Sequence, residues 1–489
     1  MKNKFVQAAV RGVFWTYSSF YIGKLMVFIS TVILARLLSQ SDFGVVSFAM
    51  LFIGFLDTIN SAGISSALIY YQNDEEATYS AFWLDIVIGA FMVLGTWLAA
   101  PFVGEYFDDV RVVDFVRVLS IVFFIDSLED VPKVLLTRNL SFNVKFIPDT
   151  LQSVVKGLTS ILFAVLGFGA WSLVIGQISG ALVSMVTFWI IVPWRPKLVL
   201  SIKWLRSIFA YGGGVVASNI LSYILVNIDY LFVGYYLGAA SLGVYTIAFR
   251  IPELLIVQFC SLVGKVIFPV YAKIKNESDV LNKAFLITMN YVSLVTVPIG
   301  LGLMLIAEPF VIAVFTDKWS EAIPVMRAIS LYALFLSLGY NANHVYKAQG
   351  EISIMTTIST VRAVLLIPAL WWATSQFKNI EMVGWIHAVI AFIAGIINLI
   401  VASRLLKISP ISIFITLRSS IVAGIFMAIV VLGVLHFTVA FSPWIQLFIS
   451  IVSGAASYAA ILSWVQKGVF REAWVTLQSS LSSGKKQTE

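Results

Sequence analysis

LLSQSDFGVVSFA, residues Leu37–Ala49, recurs as YLGAASLGVYTIA, residues Tyr236–Ala248. The match sets Leu38 on Leu237, Gly44 on Gly243 and Val45 on Val244, an offset of 199. Two further matches follow in the same order. PFVGEYF (Pro101–Phe107) sets on PFVIAVF (Pro309–Phe315) at an offset of 208, and VRVLS (Val116–Ser120) on MRAIS (Met326–Ser330) at 210, with Arg117 on Arg327. Short apolar matches arise by chance, but three in order with a slowly drifting offset do not. The chain reads as an internal duplication.

The surrounding composition says what is duplicated. Of 489 residues, 60% are hydrophobic and 12% charged, and the mean hydropathy is +0.95. A soluble protein has about 45–50% apolar and about 25% charged residues. A helix needs about 20 apolar residues to cross the hydrocarbon of a bilayer. Such runs occur near 12–37, 45–69, 79–103, 112–135, 147–168 and 170–192, then 208–233, 244–270, 284–307, 323–346, 353–374 and 380–403, and finally 411–436 and 443–466. The expected fold is all-α integral membrane, with about fourteen transmembrane helices. Two six-helix lobes related by a pseudo-two-fold axis are followed by two accessory C-terminal helices. Six crossings is an even number, so both lobes enter with one orientation and the axis lies along the membrane normal. The expected divisions are an N-lobe at 1–193, a linker at 194–207, a C-lobe at 208–404, accessory helices at 405–466 and a tail at 467–489.

Orientation follows from the basic residues. With the N-terminus in the cytoplasm, inner loops collect Lys2, Lys4, Arg11, Lys133, Arg138, Lys145, Arg195, Lys203 and Lys275, among others. Outer loops keep little beyond Arg36, Arg111, Lys318 and Lys378, beside acids such as Glu105, Asp108 and Asp317. Cytoplasmic loops carry such an excess of Lys and Arg, which places both termini inside. The same rule accounts for the net charge of +7, so nucleic-acid binding is not expected. Asp74, Glu75 and Glu76 fall in an expected inner loop against the trend, but acids weigh little in this rule. The first apolar run is too long for the core of a cleaved signal peptide.

Several charges fall well inside the expected spans: Lys24, Asp57, Lys156, Arg250, Lys265 and Arg362. Each would cost about 2.5–3.5 kcal/mol facing lipid, even on the lenient insertion scale, so they must face one another or a hydrated cavity. Cations outnumber the one central acid among them, which favours the cavity. Tyr17, Phe20 and Tyr21 precede Lys24 at helical spacing and share its face. A cation beside aromatic rings suits a sugar carrying phosphate or uronate, although a structural pair of Lys24 with Asp57 is the plainer alternative. The offset of 210 carries Lys156 to Leu366, one turn from Arg362, so each lobe presents a cation in a corresponding helix. Arg250 and Glu253 flank Pro252; they either pair at i, i+3 or leave Arg250 to a ligand, and the proline permits a kink. Asp229 lies on a polar stripe with Ser218, Asn219 and Ser222, which reads as helix packing. Candidate substrate-binding residues are thus Lys24, Lys156, Arg250, Arg362, Tyr17 and Tyr21, and Asp57 and Asp229 are candidates for coupling to Na+ or H+.

No enzyme signature accompanies them. The chain has no P-loop, no G-x-S-x-G and no His-Glu-x-x-His. His344, His387 and His436 lack ligand geometry, so no metal and no cofactor is expected. A single cysteine, Cys260, excludes an internal disulfide.

ARLLSQSDFG (Ala35–Gly44), AGISSALI (Ala62–Ile69), LLTRNLSF (Leu135–Phe142), GFGAWSLV (Gly167–Val174), NIDYLFVGYYLG (Asn227–Gly238) and FPVYAKI (Phe268–Ile274) give the chain a further likeness. It resembles the Wzx-type polysaccharide transporters of the multidrug/oligosaccharidyl-lipid/polysaccharide exporter superfamily, nearest the colanic acid and teichuronic acid branch. That resemblance implies a bacterial cytoplasmic membrane flippase with a central cavity and alternating access. The implied cargo is an undecaprenyl-diphosphate-linked oligosaccharide, and the implied partners are membrane lipid and other polysaccharide assembly proteins. The family's cavity cations match Lys24, Lys156, Arg250 and Arg362 in kind only. A cation-coupled multidrug exporter of the same superfamily is the nearest competitor, but its cavity should be acidic. A membrane polysaccharide polymerase or ligase should show a large basic outer loop, which this chain lacks.

Overall fold

The computed structural model describes residues 22–70, 74–139 and 141–465. Tyr17, Tyr21, the basic segment Met1–Arg11 and the expected tail at 467–489 lie outside them. The described chain is built of helices: α1 (22–37), α2 (Gln40–Tyr70), α3 (Glu75–Tyr106), α4 (Arg111–Leu119), α5 (Ile121–Arg138), α6 (Phe142–Val165), α7 (Trp171–Ile191) and α8 (Ile202–Pro252). A π-helical turn at Glu253–Val257 leads into α9 (Gln258–Lys273). There follow α10 (Ser278–Phe315), α11 (Ala322–Gln349), α12 (Ile352–Ser375), α13 (Ile380–Leu405), α14 (Pro410–Phe437) and α15 (Pro443–Val465).

Only Ser120 separates α4 from α5. Inside α8, Gly238 has φ 81 and ψ −179, a region open essentially to glycine alone. With α4 and α5 taken as one rod, α8 divided at Gly238, and its second limb run through the π-helical turn into α9, the described rods number fourteen, as the hydropathy predicts. Ten helices among the described residues are long and apolar enough to cross a membrane on length and composition.

Local chemistry sets the ends. The acidic run that looked out of place in an inner loop starts α3. Asp74 is its N-cap, accepting from the Ala77 backbone N–H at 2.9 Å, and Glu75 and Glu76 fill the first turn, where carboxylates complement the helix dipole. Asn379 caps α13, Ser409 caps α14 ahead of Pro410, and Gly350 closes α11 at φ 81, as its freedom in the left-handed region allows.

The chain divides into two compact units, with the boundary between Thr246 and Ile247. In the first, α6 packs along α7, and α5 packs on α3 and α7. The basic break after α7 is tied down on α3: Lys197 O accepts from Trp83 Nε1 at 2.8 Å, and Ser80 Oγ accepts from the Ser201 N–H at 2.9 Å. Trp194 stacks on Tyr79 with ring centroids 5.7 Å apart.

The repeated stretches meet inside this unit. A side-chain carbon on Gly44 would fall 1.6 Å from the Ala239 carbonyl oxygen, and one on Gly243 would fall 2.0 Å from the Gln40 carbonyl oxygen. Gly44 corresponds to Gly243 and Gln40 to Ala239 in the repeat, so the two contacts are one contact seen twice. That reciprocity is the mark of a two-fold relation between α2 and the second limb of α8. Ser47 and Thr246, also equivalent, share a hydrogen bond, while Ser47 donates to Phe43 O at 2.7 Å and Thr246 to Leu242 O at 2.8 Å.

In the second unit α11 is central, against α9, α10 and α13. Its core holds Tyr271, Phe285, Met289, Val345 and Tyr346. The accessory pair α14–α15 packs mainly on α10, through Ser293–Ser420 at 2.9 Å and Tyr458 to Leu294 O at 3.1 Å. Small polar residues of this kind join helices where hydrocarbon gives no hydrophobic drive.

Candidate functional site

Charged side chains inside the spans are the starting point. In the first unit α1 crosses α6 closely. A carbon on Gly23 would meet Ser153 Oγ at 3.0 Å, and one on Gly157 would meet Ser30 Cβ at 3.2 Å. Lys24 and Lys156 each sit beside one of these crossing points, and both are half-buried. The Lys156 ammonium donates to Gln177 Oε1 of α7. Gln177 carries no charge and stood out in no pattern, so only the fold identifies it as a partner.

The acid side of the first unit is larger than the sequence suggests. Asp85 on α3 is fully buried, as are Glu129 and Asp130 on α5, at 0%, 2% and 9% exposure. With half-buried Asp126, Glu129 and Asp130 form a cluster around Lys133, whose Nζ lies 3.2 Å from Glu129 Oε1, and Asp85 faces Asp126 and Asp130. Asp57 on α2 faces Lys133 as well, and Tyr223 on α8. This corrects two expectations. Lys133 belongs to helix α5 rather than a loop, and the acids within the expected spans are several rather than one. The signal was present in the spacing, since 126, 129, 130 and 133 lie on one helical face. Crowded acids near the end of the fourth apolar run had masked it.

Asp229 is buried, and its Oδ2 accepts from the Tyr245 hydroxyl at 2.6 Å. The bond fastens the two limbs of α8 on either side of Gly238. Nearby, a cavity of about 440 Å³ opens between α2, α3 and α8. Phe52, Phe55, Phe102, Tyr106, Phe107 and Tyr223 line it, a wall suited to hydrocarbon or to the C–H face of a sugar.

In the second unit Arg250 is half-buried at the end of α8, directly before the π-helical turn that follows Pro252. Such turns disturb the regular hydrogen-bond ladder and recur at functional positions. No ion pair joins Arg250 to Glu253; Glu253 Oε1 accepts instead from Gln258 Nε2 at 3.3 Å. Arg362 on α12 lies over the Tyr332 ring at 5.9 Å, with its NH2 3.3 Å from the Tyr332 hydroxyl. Phe249 and His387 touch the same ring, with centroids 5.7 and 5.2 Å away. Tyr332 therefore links Arg362 to the end of α8. Arg362 also stands on the wall of an apolar groove of about 380 Å³ between α12 and α13. Among the described residues no group of three or more acids, cysteines or histidines could hold a metal ion.

These features can now be set beside known proteins. The teichuronic acid biosynthesis protein TuaB of Bacillus subtilis (strain 168) is 24% identical over 425 residues, 83% of this chain and 85% of that protein. The succinoglycan biosynthesis transport protein ExoT of Rhizobium meliloti (strain 1021) is 25% identical over 360 residues, 73% of each. Among solved structures, the lipid II flippase MurJ in an inward closed conformation superposes with a TM-score of 0.77 at 16% identity, covering 94% of this chain and 100% of that one. The family described as polysaccharide biosynthesis protein matches residues 33–324. That stretch includes both copies of the glycine crossing and all the intramembrane charges named above except Lys24 and Arg362. The chain therefore belongs to the polysaccharide biosynthesis protein family, on a multi-pass helical fold that the lipid II flippase shares.

Proposed function

We propose that this protein is a flippase for undecaprenyl-diphosphate-linked oligosaccharide repeat units. It moves them from the inner to the outer leaflet of the bacterial cytoplasmic membrane, for surface polysaccharide biosynthesis. The observation that carries the reading is the pair of half-buried cations, Lys24 and Lys156, at one helix crossing. Beyond Thr246, Arg362 lies in the helix expected to correspond to that of Lys156, and Arg250 is a further half-buried cation. A diphosphate cannot enter hydrocarbon unaided, whereas a lined, hydrated cleft carrying cations lowers that barrier.

The proposed motion is alternating access, with lobes at 1–193 and 208–404 and both termini in the cytoplasm. The protein performs no bond chemistry and needs no cofactor. Its partners are the lipid-linked substrate, membrane lipid and other polysaccharide assembly proteins. A Na+ or H+ gradient would supply the energy, with Asp57 and Asp229 as the residues first considered for that role.

The test is a deletion strain complemented with wild type, Lys24→Ala or Arg362→Ala. Deletion should strand lipid-linked repeats on the cytoplasmic side, and either variant should fail to restore export at normal membrane levels. Unchanged surface polysaccharide after deletion, with no second flippase acting, overturns the proposal and favours drug export.

A further inference from the structure

The helices α3 and α5 run antiparallel, and they touch where α3 has no side chain. A carbon on Gly89 would fall 2.0 Å from Ser127 Oγ and 3.0 Å from Phe123 O. One turn from that contact on α3 lies Asp85. One turn from it on α5, in the matching direction, lies Asp130. The register therefore turns the two carboxyls towards each other. Asp85 is fully buried, and neither of its oxygens has a hydrogen-bond partner. Glu129 Oε2 is likewise buried without one.

The neighbourhood offers little compensation for negative charge. Facing the pair are Asp126, Glu129 and Lys133 from α5 and Asp57 from α2, with Tyr223 of α8 beyond Asp57. The packed face of α7 brings no titratable side chain. On α6, Lys145 lies 3.8 Å from Asp149 and Lys156 is bonded to Gln177. On α4, Arg117 lies over Trp97, three turns along α3 from Asp85. Of these five carboxyls the one ammonium faces Asp57, Asp126, Glu129 and Asp130, and it is committed most closely to Glu129. Buried carboxylates without donors are tolerated only when neutralised. No group of three or more Asp, Glu, His or Cys that could hold a metal ion occurs among the described residues, and a proton needs only one oxygen of the two facing carboxyls.

We propose that Asp85 and Asp130 form a buried proton-binding pair, reached from the membrane surface through half-buried Asp126 and Lys133. On release, the O–H bond of one carboxyl breaks, and the proton passes by way of Asp126 to water. The pair then gains one negative charge, which Lys133 offsets. Reloading reverses the step. The use of this cycle to drive transport rests on the flippase reading; the protonation itself does not.

Infrared difference spectra of the full-length protein in lipid nanodiscs at neutral pH test the site. A C=O stretch of a protonated carboxyl is expected, shifted in D2O and lost or reduced in Asp85→Asn and Asp130→Asn. Absence of that band, or a band unchanged in both variants, overturns the proposal. An amide mimics the neutral acid, so failure of Asp85→Asn to assemble in the membrane overturns it too. In the complemented deletion strain, Asp85→Asn should lose export while keeping its membrane level. Normal export with the band removed discards the coupling role alone. Surface polysaccharide unaffected by deletion discards the flippase reading and leaves the spectroscopic result standing.

Discussion

The hydroxyl oxygens of Ser47 and Thr246 lie 3.2 Å apart although 199 residues separate them in the chain, the very offset at which the two halves repeat. Equivalent residues can touch each other only on the axis that relates them. The repeated stretches Leu37–Ala49 and Tyr236–Ala248 therefore meet in space as well as matching in letters, and Gly44 and Gly243 allow the two helices to come that close.

Substitution at this crossing should be felt at once. Gly44→Ala places a carbon 1.6 Å from a backbone oxygen, and overpacking of this kind costs about 1–3 kcal/mol. A lower melting temperature for Gly44→Ala and Gly243→Ala in detergent checks it. Equal melting of variant and wild type would show that the crossing is not held in this form.

The same axis can be pinned. The only native cysteine, Cys260, is buried, so a Ser47→Cys, Thr246→Cys pair reports cleanly. Mild oxidation should join the two positions, whose side chains already meet. If export requires this crossing to open, oxidation should abolish it and reductant should restore it.

Gln177 should matter more than its neutral side chain suggests. Gln177→Leu removes an acceptor that the Lys156 ammonium uses, and loss of a hydrogen bond to a charged group costs about 1.5–3 kcal/mol. Thermal melting should fall in Gln177→Leu and much less in Gln177→Glu, which retains an acceptor.

Around Arg362, ring and hydroxyl can be separated. Tyr332→Phe keeps the face that Arg362, Phe249 and His387 touch and loses one contact at 3.3 Å, so its stability should change by about 0.5–1.5 kcal/mol at most. Tyr332→Ala removes the face itself, and export should drop with it. Equal effects from both changes would locate the role in the hydroxyl.

Outside the spans, Asp109 gives a pH signature. Burial alone would raise its carboxyl, but hydrogen bonds from Arg111 at 3.0 and 2.7 Å outweigh that and hold it below the usual aspartate range. A lowered value means that the folded state binds the proton less readily than the unfolded chain. The contribution is present above about pH 4, and it is lost as pH falls through the depressed value. Arg111 is half exposed and also holds Ser41 of α2 at 2.8 Å, so the size should be under about 1 kcal/mol. Melting curves across acid pH for wild type and Arg111→Ala should converge at the acid end.

What the letters disclosed and what they hid follow from range. Hydropathy is a local sum, so the spans were readable, and Gly44 on Gly243 disclosed the duplication. Pro252 pointed to irregular backbone, which the fold realises as the π-helical turn beside it. The acid cluster depends on α3 meeting α5, and no local window contains both Asp85 and Asp130. Lys133 sits at the end of the fourth apolar run and read as a loop cation, whereas α5 continues past it to Arg138. Arg250 and Glu253 had the spacing of a pair, but the ladder shifts between them and Glu253 turns to Gln258. Tertiary contact decided these cases.

These two hydroxyls also set how firmly α2 and the second limb of α8 hold. Ser47 and Thr246 own one hydrogen each, yet three acceptors compete for the two: Phe43 O, Leu242 O and the hydroxyl opposite. Closing the bridge takes a hydrogen from one helix's own backbone, and opening it returns that hydrogen. The bond count is the same either way. The crossing of α2 with the second limb of α8 therefore carries a fastening with almost no preference for being fastened.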